Sequence, residues 1–392
     1  MNDHRQLGRE LDLFHSDPLV GAGLPLWLPN GAAARYAVEE YLREAERRAG
    51  YRHVYSPPLG RRELYERSGH WAHFAEDMFA PIPDGADELV LRPSLCPHHA
   101  LVYRSRGRSY RDLPLRIAEL GGMYRAERSG VLGGLHRVRA ISLNDAHIFC
   151  APDSLDAEVK GVLELMAAAH AALGVRVSGI RLSLRGPGRS YAGEAADWVR
   201  AEAALRAALG DLSYVDAPGE AAFYGPKIDV QIVDPAGRES TLATIQVDFH
   251  QPARFELSYV DSDGQRRRPV MVHRSLAGSL ERLFGHLTEV HAGAFPAWYA
   301  PVQVAVLPVG AGAVDAAYRF AAQAADLRVE VHAEGSLGAR VRDARRVPFV
   351  AVIGPREAAT DAVSLRPRAG AAEHQNAAQA LATIHAATAP PR

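Results

Sequence analysis

The sequence predicts an α+β protein. A large antiparallel sheet with flanking helices, over residues 1–299, is followed by a small α/β domain, over residues 300–392. Residues 122–150 and 223–249 each predict an antiparallel hairpin, because strand-like segments flank turn residues in both runs. After Pro301, apolar strands alternate with helical segments, which is the pattern of a small α/β domain.

Helical spacing and turn residues predict the elements of the first domain. Helices are expected at residues 33–49, 63–71, 154–173, 194–210 and 275–291. Gly69 is expected to end the second of them, and the segment HVYSPPLG predicts a strand ended by prolines. In the second domain, strands are expected at residues 302–309, 327–333, 348–354 and, as an edge strand, 362–367. The intervening helices are expected at residues 313–326, 337–345 and from His374 onward.

Composition excludes several classes of protein. The 392 residues carry a net charge of −1, with 47% hydrophobic and 23% charged residues, so there is no overall basic excess for nucleic acid. Two cysteines, Cys96 and Cys150, argue against a disulfide framework and fit a reducing compartment. The polar N-terminus lacks a signal-peptide core, and no segment reaches the roughly 18 apolar residues of a membrane span. We therefore expect a cytoplasmic protein without a membrane partner.

The run from Gly122 to Cys150 carries the clearest chemical signal. Its charged residues are Arg125, Glu127, Arg137, Arg139, Asp145 and His147. Inward-facing arginines in a hairpin are costly unless an anion lies between them, and a nucleoside triphosphate is the obvious candidate. A solvated basic hairpin accounts for these residues equally well.

The chain resembles the class II aminoacyl-tRNA synthetases, and among them the threonyl-tRNA synthetases. The helix ending at YRHVYSPP, with Pro57, corresponds to the first class motif. The second motif is YRAE with its following loop, and the third is GSLERLFG. RPSLCPHH, DAHIF, FYGPKI, IQVDF and PVMVHR also follow the threonyl pattern. Each motif is weak alone, but their order makes the resemblance specific over nearly the whole chain.

The resemblance implies a two-step ligase reaction. An amino acid and ATP form an aminoacyl-adenylate, and the acyl group then passes to the 3′ end of a tRNA. Such catalysis depends mainly on positioning and charge stabilisation. The implied ATP-binding residues are Arg125 at the α-phosphate, Glu127 at the adenine end, Arg137 and Arg282 at the distal phosphates or adenine, and Thr241 beside the nucleotide. Lys227 would add a cation near the reacting groups, and Mg²⁺ would bridge the phosphates. Taken alone, the arginines also fit structural ion pairs, and Lys227 fits a solvated strand lysine.

Cys96, His147 and His273 are far apart in the sequence, and their spacing alone predicts no metal site. The resemblance implies that all three are zinc ligands, which leaves an open coordination position for the substrate. The amino group and β-hydroxyl of threonine would bind there, so valine, which lacks the hydroxyl, would be rejected.

The resemblance also implies residues around the amino acid. Asp145 would hold the ammonium group, and Tyr224 and Gln246 would line the pocket. His70 would assist acyl transfer, although capping or packing at a helix end also accounts for it.

Several residues depart from the family pattern. Leu143, Ser94, Leu95, Thr241 and Leu242 stand where the family has other, often longer polar side chains. These changes remove hydrogen-bonding groups and put the identity of the amino acid in question.

The second domain resembles the family's anticodon-binding domain. Glu357 and Arg366 match positions used on anticodon bases, although ordinary solvent-facing charges also account for them. The stretch RPRAG is less basic than its family counterpart, which predicts weaker phosphate contacts. The class also implies a homodimer.

Three functional hypotheses follow. The first is a compact threonine–tRNA ligase without the family's N-terminal editing region. Because one methyl group discriminates by only about 1–3 kcal/mol, we expect such a protein to leak serine, to rely on a separate editor or to serve a specialised pathway that tolerates the error. The second is a paralogue that activates another β-hydroxy amino acid or loads a non-tRNA acceptor. The third is a non-catalytic binding or regulatory module.

Overall fold

The computed structural model describes residues 3–187 and 191–391. The helices are α1 His4–Glu10, α2 Pro29–Arg48, α3 Arg62–Arg67, α4 His70–Phe74, α5 Cys96–Arg104, α6 Leu155–Leu173, α7 Ala195–Leu209, α8 His250–Arg254, α9 Leu280–Val290, α10 Val314–Gln323, α11 Leu337–Asp343, α12 Pro355–Ala359 and α13 Ala377–Thr388. The strands are β1 Phe14–His15, β2 Leu26–Trp27, β3 Arg52–His53, β4 Leu59–Arg61, β5 Ile82–Asp84, β6 Asp87–Leu91, β7 Leu115–Tyr124, β8 Ala140–Cys150, β9 Val177–Leu184, β10 Val215–Pro218, β11 Lys227–Val233, β12 Glu239–Asp248, β13 Tyr259–Val260, β14 Arg266–Arg267, β15 Val270–Ser275, β16 Val304–Pro308, β17 Val329–Val331, β18 Phe349–Ile353, β19 Ala362–Pro367 and β20 Glu373–Asn376.

The chain divides into two compact units. The large unit comprises Ser16–Pro25 and Leu42–His286, and the small unit comprises Met1–His15, Leu26–Tyr41 and Leu287–Arg392. The N-terminal segment therefore groups with the C-terminal residues, whereas the sequence analysis assigned it to the first domain.

The large unit is built on one sheet. Eight of the described strands form it, in the order β10-β9-β11-β12-β15-β8-β7-β3. The inner pairs are antiparallel, and the outermost strands β10 and β3 pair in parallel with β9 and β7. The predicted antiparallel sheet is confirmed, and its two hairpins are β7–β8 and β11–β12.

The first hairpin has a longer loop than its sequence suggests. Strand β7 ends at Tyr124 and β8 begins at Ala140, so the charged residues between them belong to a loop. The Arg139 Nε donates to the backbone oxygen of Glu127 at 2.9 Å, and this contact helps to hold the loop.

The predicted end of the second helix at Gly69 is confirmed, because α3 ends at Arg67 and Gly69 has a left-handed φ of 84°. The last two residues of the predicted span, His70 and Trp71, instead begin α4. The helix predicted from residue 275 starts only at Leu280, because Ser275 still belongs to β15.

The small unit contains a five-stranded sheet in the order β17-β16-β18-β19-β20. The pairs of β16 with β17 and β18 are parallel, and those involving β19 are antiparallel. The prediction that residues 362–367 form the edge strand is wrong, because β20 covers that edge. Its residues from His374 on were expected to begin the last helix, but the side chain of Asn376 caps α13 instead. None of the helices within residues 3–187 and 191–391 combines the length and the hydropathy of a membrane span.

Candidate active site

One face of the large sheet carries a row of polar side chains. Glu119 lies opposite Asp145, His147 lies opposite His273, and His273 lies opposite Gln246 in the strand register. Residues opposite each other on antiparallel strands share a face, and so do residues two apart, such as Asp145 and His147. The register therefore gathers residues that are distant in the sequence.

A cavity of about 280 Å³ opens on this face. The predicted site residues that line it are Arg125, Glu127, Arg137, Asp145, His147, Tyr224, Thr241, Gln246, His273 and Arg282. Ser94, Leu143 and Leu242, which depart from the family pattern, line it as well. The residues predicted to bind the nucleotide and those predicted to bind the amino acid therefore line the same cavity.

Two partly buried arginine side chains face this cavity. The Nε of Arg125 has no hydrogen-bond partner within the described residues. Arg282 donates to the backbone oxygens of Thr241, at 3.0 Å, and His136, at 3.3 Å. Burial lowers the pKa of both groups, and repulsion from Arg125 lowers that of Arg282 further. An anion entering the cavity would relieve both effects.

The other predicted nucleotide contacts are held by neighbours. The carboxylate of Glu127 accepts hydrogen bonds from Arg137, with an N–O distance of 2.7 Å. The hydroxyl of Thr241 accepts a hydrogen bond from the Gln231 side chain at 2.9 Å. Both residues are therefore oriented at the cavity wall before any ligand is bound.

Three candidate metal ligands lie close together, and two of them belong to the row of polar side chains. Cys96 begins α5, His147 lies on β8 and His273 on β15, and their ligand atoms all lie within 4.8 Å of one another. The Nε2 of His147 is 3.0 Å from the Nδ1 of His273. One thiol and two imidazoles are donors that suit zinc, so the residues present fit the metal that the resemblance implies.

Neighbouring side chains support two of these ligands. The carboxylate of Asp248 lies 2.9 Å from the Nε2 of His273. The Cys96 sulfur is 3.1 Å from the Ser94 hydroxyl and accepts from the Gln251 Nε2 at 3.3 Å. Asp248 and Gln251 were not predicted from the sequence, although Asp248 follows Gln246 by two residues and therefore shares its face.

Burial shifts the ionisation of this cluster. It raises the pKa of the Cys96 thiol to about 12 and lowers the pKa of His147 well below its ordinary value. It also raises the pKa of Asp145 to about 7. A cation at the cluster would favour the thiolate, and a nearby ammonium group would favour the ionised form of Asp145.

Tyr224 and His70 flank the metal-ligand trio. The ring of Tyr224 stacks on that of His273 with centroids 4.8 Å apart, and its hydroxyl donates to Gln246. His70 does not line the cavity, but its Nε2 is 3.6 Å from the Cys96 sulfur and its Nδ1 is 2.8 Å from the Ser68 hydroxyl.

Lys227 is engaged outside the cavity lining. Its ammonium group is 2.7 Å from the carboxylate of Asp229, which also accepts from the Ser183 hydroxyl at 2.6 Å. The predicted contact between Lys227 and a reacting group remains a prediction.

The two predicted tRNA contacts lie in the small unit. Glu357 accepts a hydrogen bond from the backbone nitrogen of Gly354 at 3.0 Å and so caps α12. Arg366 is half-buried on β19. The nearby Arg368 donates to the backbone oxygens of Phe295 and Arg346, both at 2.9 Å. Base recognition by Glu357 and Arg366 therefore stays a prediction.

Comparisons with known proteins agree with this architecture. The profile of the class II tRNA synthetase core domain (G, H, P, S and T) matches residues 79–291, and that of the anticodon binding domain matches residues 303–384. A threonine–tRNA ligase of Levilactobacillus brevis is 48% identical over 375 residues, which cover 93% of this chain and 58% of the relative. One from a Geobacillus species is 46% identical over 374 residues, with the same coverage. The chain thus spans 58% of the length of these relatives.

A solved structure extends the similarity to the full length of this chain. The RNA binding domain of threonyl-tRNA synthetase from Cryptosporidium parvum Iowa II superposes with a TM-score of 0.95 and 32% identity. The match covers 100% of this chain and 99% of that one. The α+β fold predicted from the sequence is therefore confirmed, and the chain belongs to the class II aminoacyl-tRNA synthetase family, within which it groups with the threonyl-tRNA synthetases.

Proposed function

We propose that the protein is a threonine–tRNA ligase that activates threonine with ATP and transfers it to the 3′ end of tRNA. The observation that carries this proposal is that one cavity is lined both by the partly buried Arg125 and Arg282 and by His147 and His273, whose ligand cluster is completed by Cys96. A nucleotide could therefore bind at the arginines and an amino acid at the neighbouring ligand cluster. The relatives named threonine–tRNA ligase support the choice of substrate.

The first step is an in-line attack by a threonine carboxylate oxygen on the α-phosphorus of ATP, with pyrophosphate leaving. Arg125 binds the α-phosphate oxygens and stabilises the charge that grows on them. Arg282 binds the distal phosphates and leaving pyrophosphate, while Glu127 and Thr241 orient the nucleotide. Mg²⁺ carried with ATP neutralises part of the phosphate charge.

Amino-acid recognition falls to the other end of the cavity. Asp145 pairs with the substrate ammonium, which restores the ionised carboxylate that burial disfavours. Tyr224 and Gln246 form one side of the pocket, and the hydrogen bond between them holds both side chains in place. Cys96, His147 and His273 would hold zinc, which would supply a Lewis acid for the amine and the β-hydroxyl of the substrate. Valine leaves the hydroxyl position empty and is rejected.

In the second step, the 3′-terminal hydroxyl of tRNA attacks the acyl carbon and AMP leaves. His70, buried beside the cluster, is proposed to assist this transfer. Glu357 and Arg366 are proposed to contact the anticodon. We further propose that the protein works as a cytoplasmic homodimer, as the class implies.

One observation favours a second candidate function. Leu143 and Leu242 place apolar surface on the cavity wall, so the pocket offers fewer hydrogen bonds to its ligand. A paralogue that activates a different β-hydroxy amino acid fits this lining.

Amino-acid-dependent ATP–pyrophosphate exchange on zinc-loaded protein tests the proposal. We expect exchange with threonine, weaker exchange with serine and none with valine, and loss of exchange in Arg125→Ala. Exchange with another β-hydroxy amino acid alone would favour the paralogue. No exchange with any amino acid would overturn the ligase assignment.

A further inference from the structure

Two buried polar side chains beside the candidate zinc ligands have no role in the proposed reaction. His99 is fully buried on α5, and Glu119 is 3% exposed on β7. Neither lines the cavity among the described residues. Burying an ionisable group costs free energy unless the group is paired. The hydrogen-bond partners of these two side chains therefore indicate their role.

These side chains form a chain of contacts that ends at a candidate ligand. The Nδ1 of His99 is 2.7 Å from the Nδ1 of His147, and the Nε2 of His99 is 3.1 Å from the Oε2 of Glu119. His99 therefore lies between Glu119 and the ring nitrogen of His147 that faces away from His273.

We call the contacts from His147 through His99 to Glu119 the relay. The positions of its hydrogens follow from the chemistry of His147 as a metal ligand. If the Nε2 of His147 offers its lone pair to a metal, the Nδ1 must carry the hydrogen and donate it to the Nδ1 of His99. The hydrogen of His99 then lies on Nε2 and is donated to Glu119. Each donor meets one acceptor, so the relay selects one tautomer of each ring.

Glu119 is itself firmly anchored. It accepts hydrogen bonds from the Ser56 hydroxyl, at 2.6 Å, and from the Nη2 of Arg92, at 3.1 Å. Burial raises the pKa of Glu119, but the hydrogen bonds from His99 and Ser56 and the charge of Arg92 outweigh it and lower the pKa to about 2. The relay therefore ends on a fixed carboxylate that can only accept.

We propose that His99 and Glu119 are positioning residues that hold the ring of His147 in the orientation and tautomer required for metal binding. This inference rests on the zinc site of the proposed function. Outer contacts of this kind typically account for a factor of about 10 to 100 in metal affinity.

Zinc affinity by chelator competition, and the absorption spectrum of the cobalt-substituted protein, test the proposal without relying on activity. His99→Leu removes both contacts of the ring, and we expect zinc to bind about 10- to 100-fold more weakly, with altered cobalt bands. His99→Asn keeps a polar group near the Nδ1 position and should recover part of the affinity. Glu119→Gln keeps the shape but removes the charge, and it should also weaken zinc binding.

His98→Gln is the matched control, because His98 is a buried neighbour on the same helix whose Nε2 faces the backbone oxygen of Leu59 at 3.3 Å. It should keep wild-type zinc affinity. If His99→Leu does not fold, His99→Asn and Glu119→Gln decide the question.

Wild-type zinc affinity and cobalt bands in all folded variants of His99 and Glu119 would overturn the inference alone. Failure of the wild-type protein to bind one zinc ion per chain would instead remove the zinc site of the proposed function, and this inference with it.

Discussion

A buried ion pair beside the candidate site gives a quantitative test of how the large unit is held together. Arg274 is fully buried next to His273, and its Nη2 is 2.8 Å from the Oε1 of Glu46, which is 1% exposed. Glu46 also accepts from Asn144 at 2.8 Å and contacts the Nε2 of His53 at 2.7 Å. Glu46→Gln keeps the shape of the side chain but leaves the guanidinium without its charge partner.

Removing one partner of a buried pair costs about 3–5 kcal/mol, because the other charge remains desolvated. We therefore expect the free energy of unfolding of Glu46→Gln to fall by that amount, and its melting temperature to fall by roughly 6–20 °C. Urea denaturation of the zinc-loaded protein measures the change. Glu44→Gln is the control on the same helix, since Glu44 pairs with Arg47 and Arg48 at the surface. A loss below about 1 kcal/mol in Glu46→Gln, the size of a surface pair, would refute the reasoning.

The same pair predicts a pH dependence. Burial raises the pKa of Glu46, but Arg274 and the hydrogen bonds from His53 and Asn144 outweigh it, so the pKa lies below its ordinary value of 4.5. Because the folded-state pKa is lowered, this stabilisation is complete above pH 4.5 and is lost as the pH falls through the folded-state pKa. The stability difference between wild type and Glu46→Gln should therefore shrink only below about pH 4.5.

Three further predictions concern the pocket and the small unit. Tyr224→Phe loses the hydrogen bond to Gln246, so pyrophosphate exchange should show a KM for threonine that is raised about 2- to 10-fold and an unchanged KM for ATP. The same KM for threonine in the variant and the wild type would contradict this role. Gly225→Ala places a Cβ 2.0 Å from the backbone oxygen of Val247, so calorimetry should show a lower melting temperature, and an unchanged one would contradict the close approach. Arg366→Ala should weaken tRNA binding in low-salt filter assays without lowering the melting temperature, whereas Arg368→Ala, which loses two carbonyl contacts, should lower it; the reverse pattern would contradict both assignments.

Sequence reasoning succeeded where the signal was local. Helix α6 and the hairpin strands β11 and β12 follow from periodicity and turn residues over short windows. Strand β20 was missed because EHQN has no apolar alternation and because its pairing with β19 supplies the order. The loop after Tyr124 was taken for part of a strand because its arginines lie in strand-like surroundings.

In the candidate site, too, local sequence signals were predictive and contacts between distant residues were not. Cys96, His147 and His273 were singled out by motif order, and the strand register supplies the physical reason that they meet. The support from Asp248 and the relay through His99 and Glu119 depend on contacts between side chains far apart in the chain. The same holds for the pairing of Glu46 with Arg274. Single charged residues carry no sequence pattern that identifies such partners.

We propose that zinc held by the Cys96, His147 and His273 cluster recognises the β-hydroxyl of the substrate. Isothermal titration calorimetry of threonine into zinc-loaded and zinc-depleted protein, with valine as the isosteric control, tests it most directly. We predict that threonine binds only the zinc-loaded protein and that valine binds neither form. Equal binding of threonine to both forms, or binding of valine as tight as that of threonine, would contradict the claim.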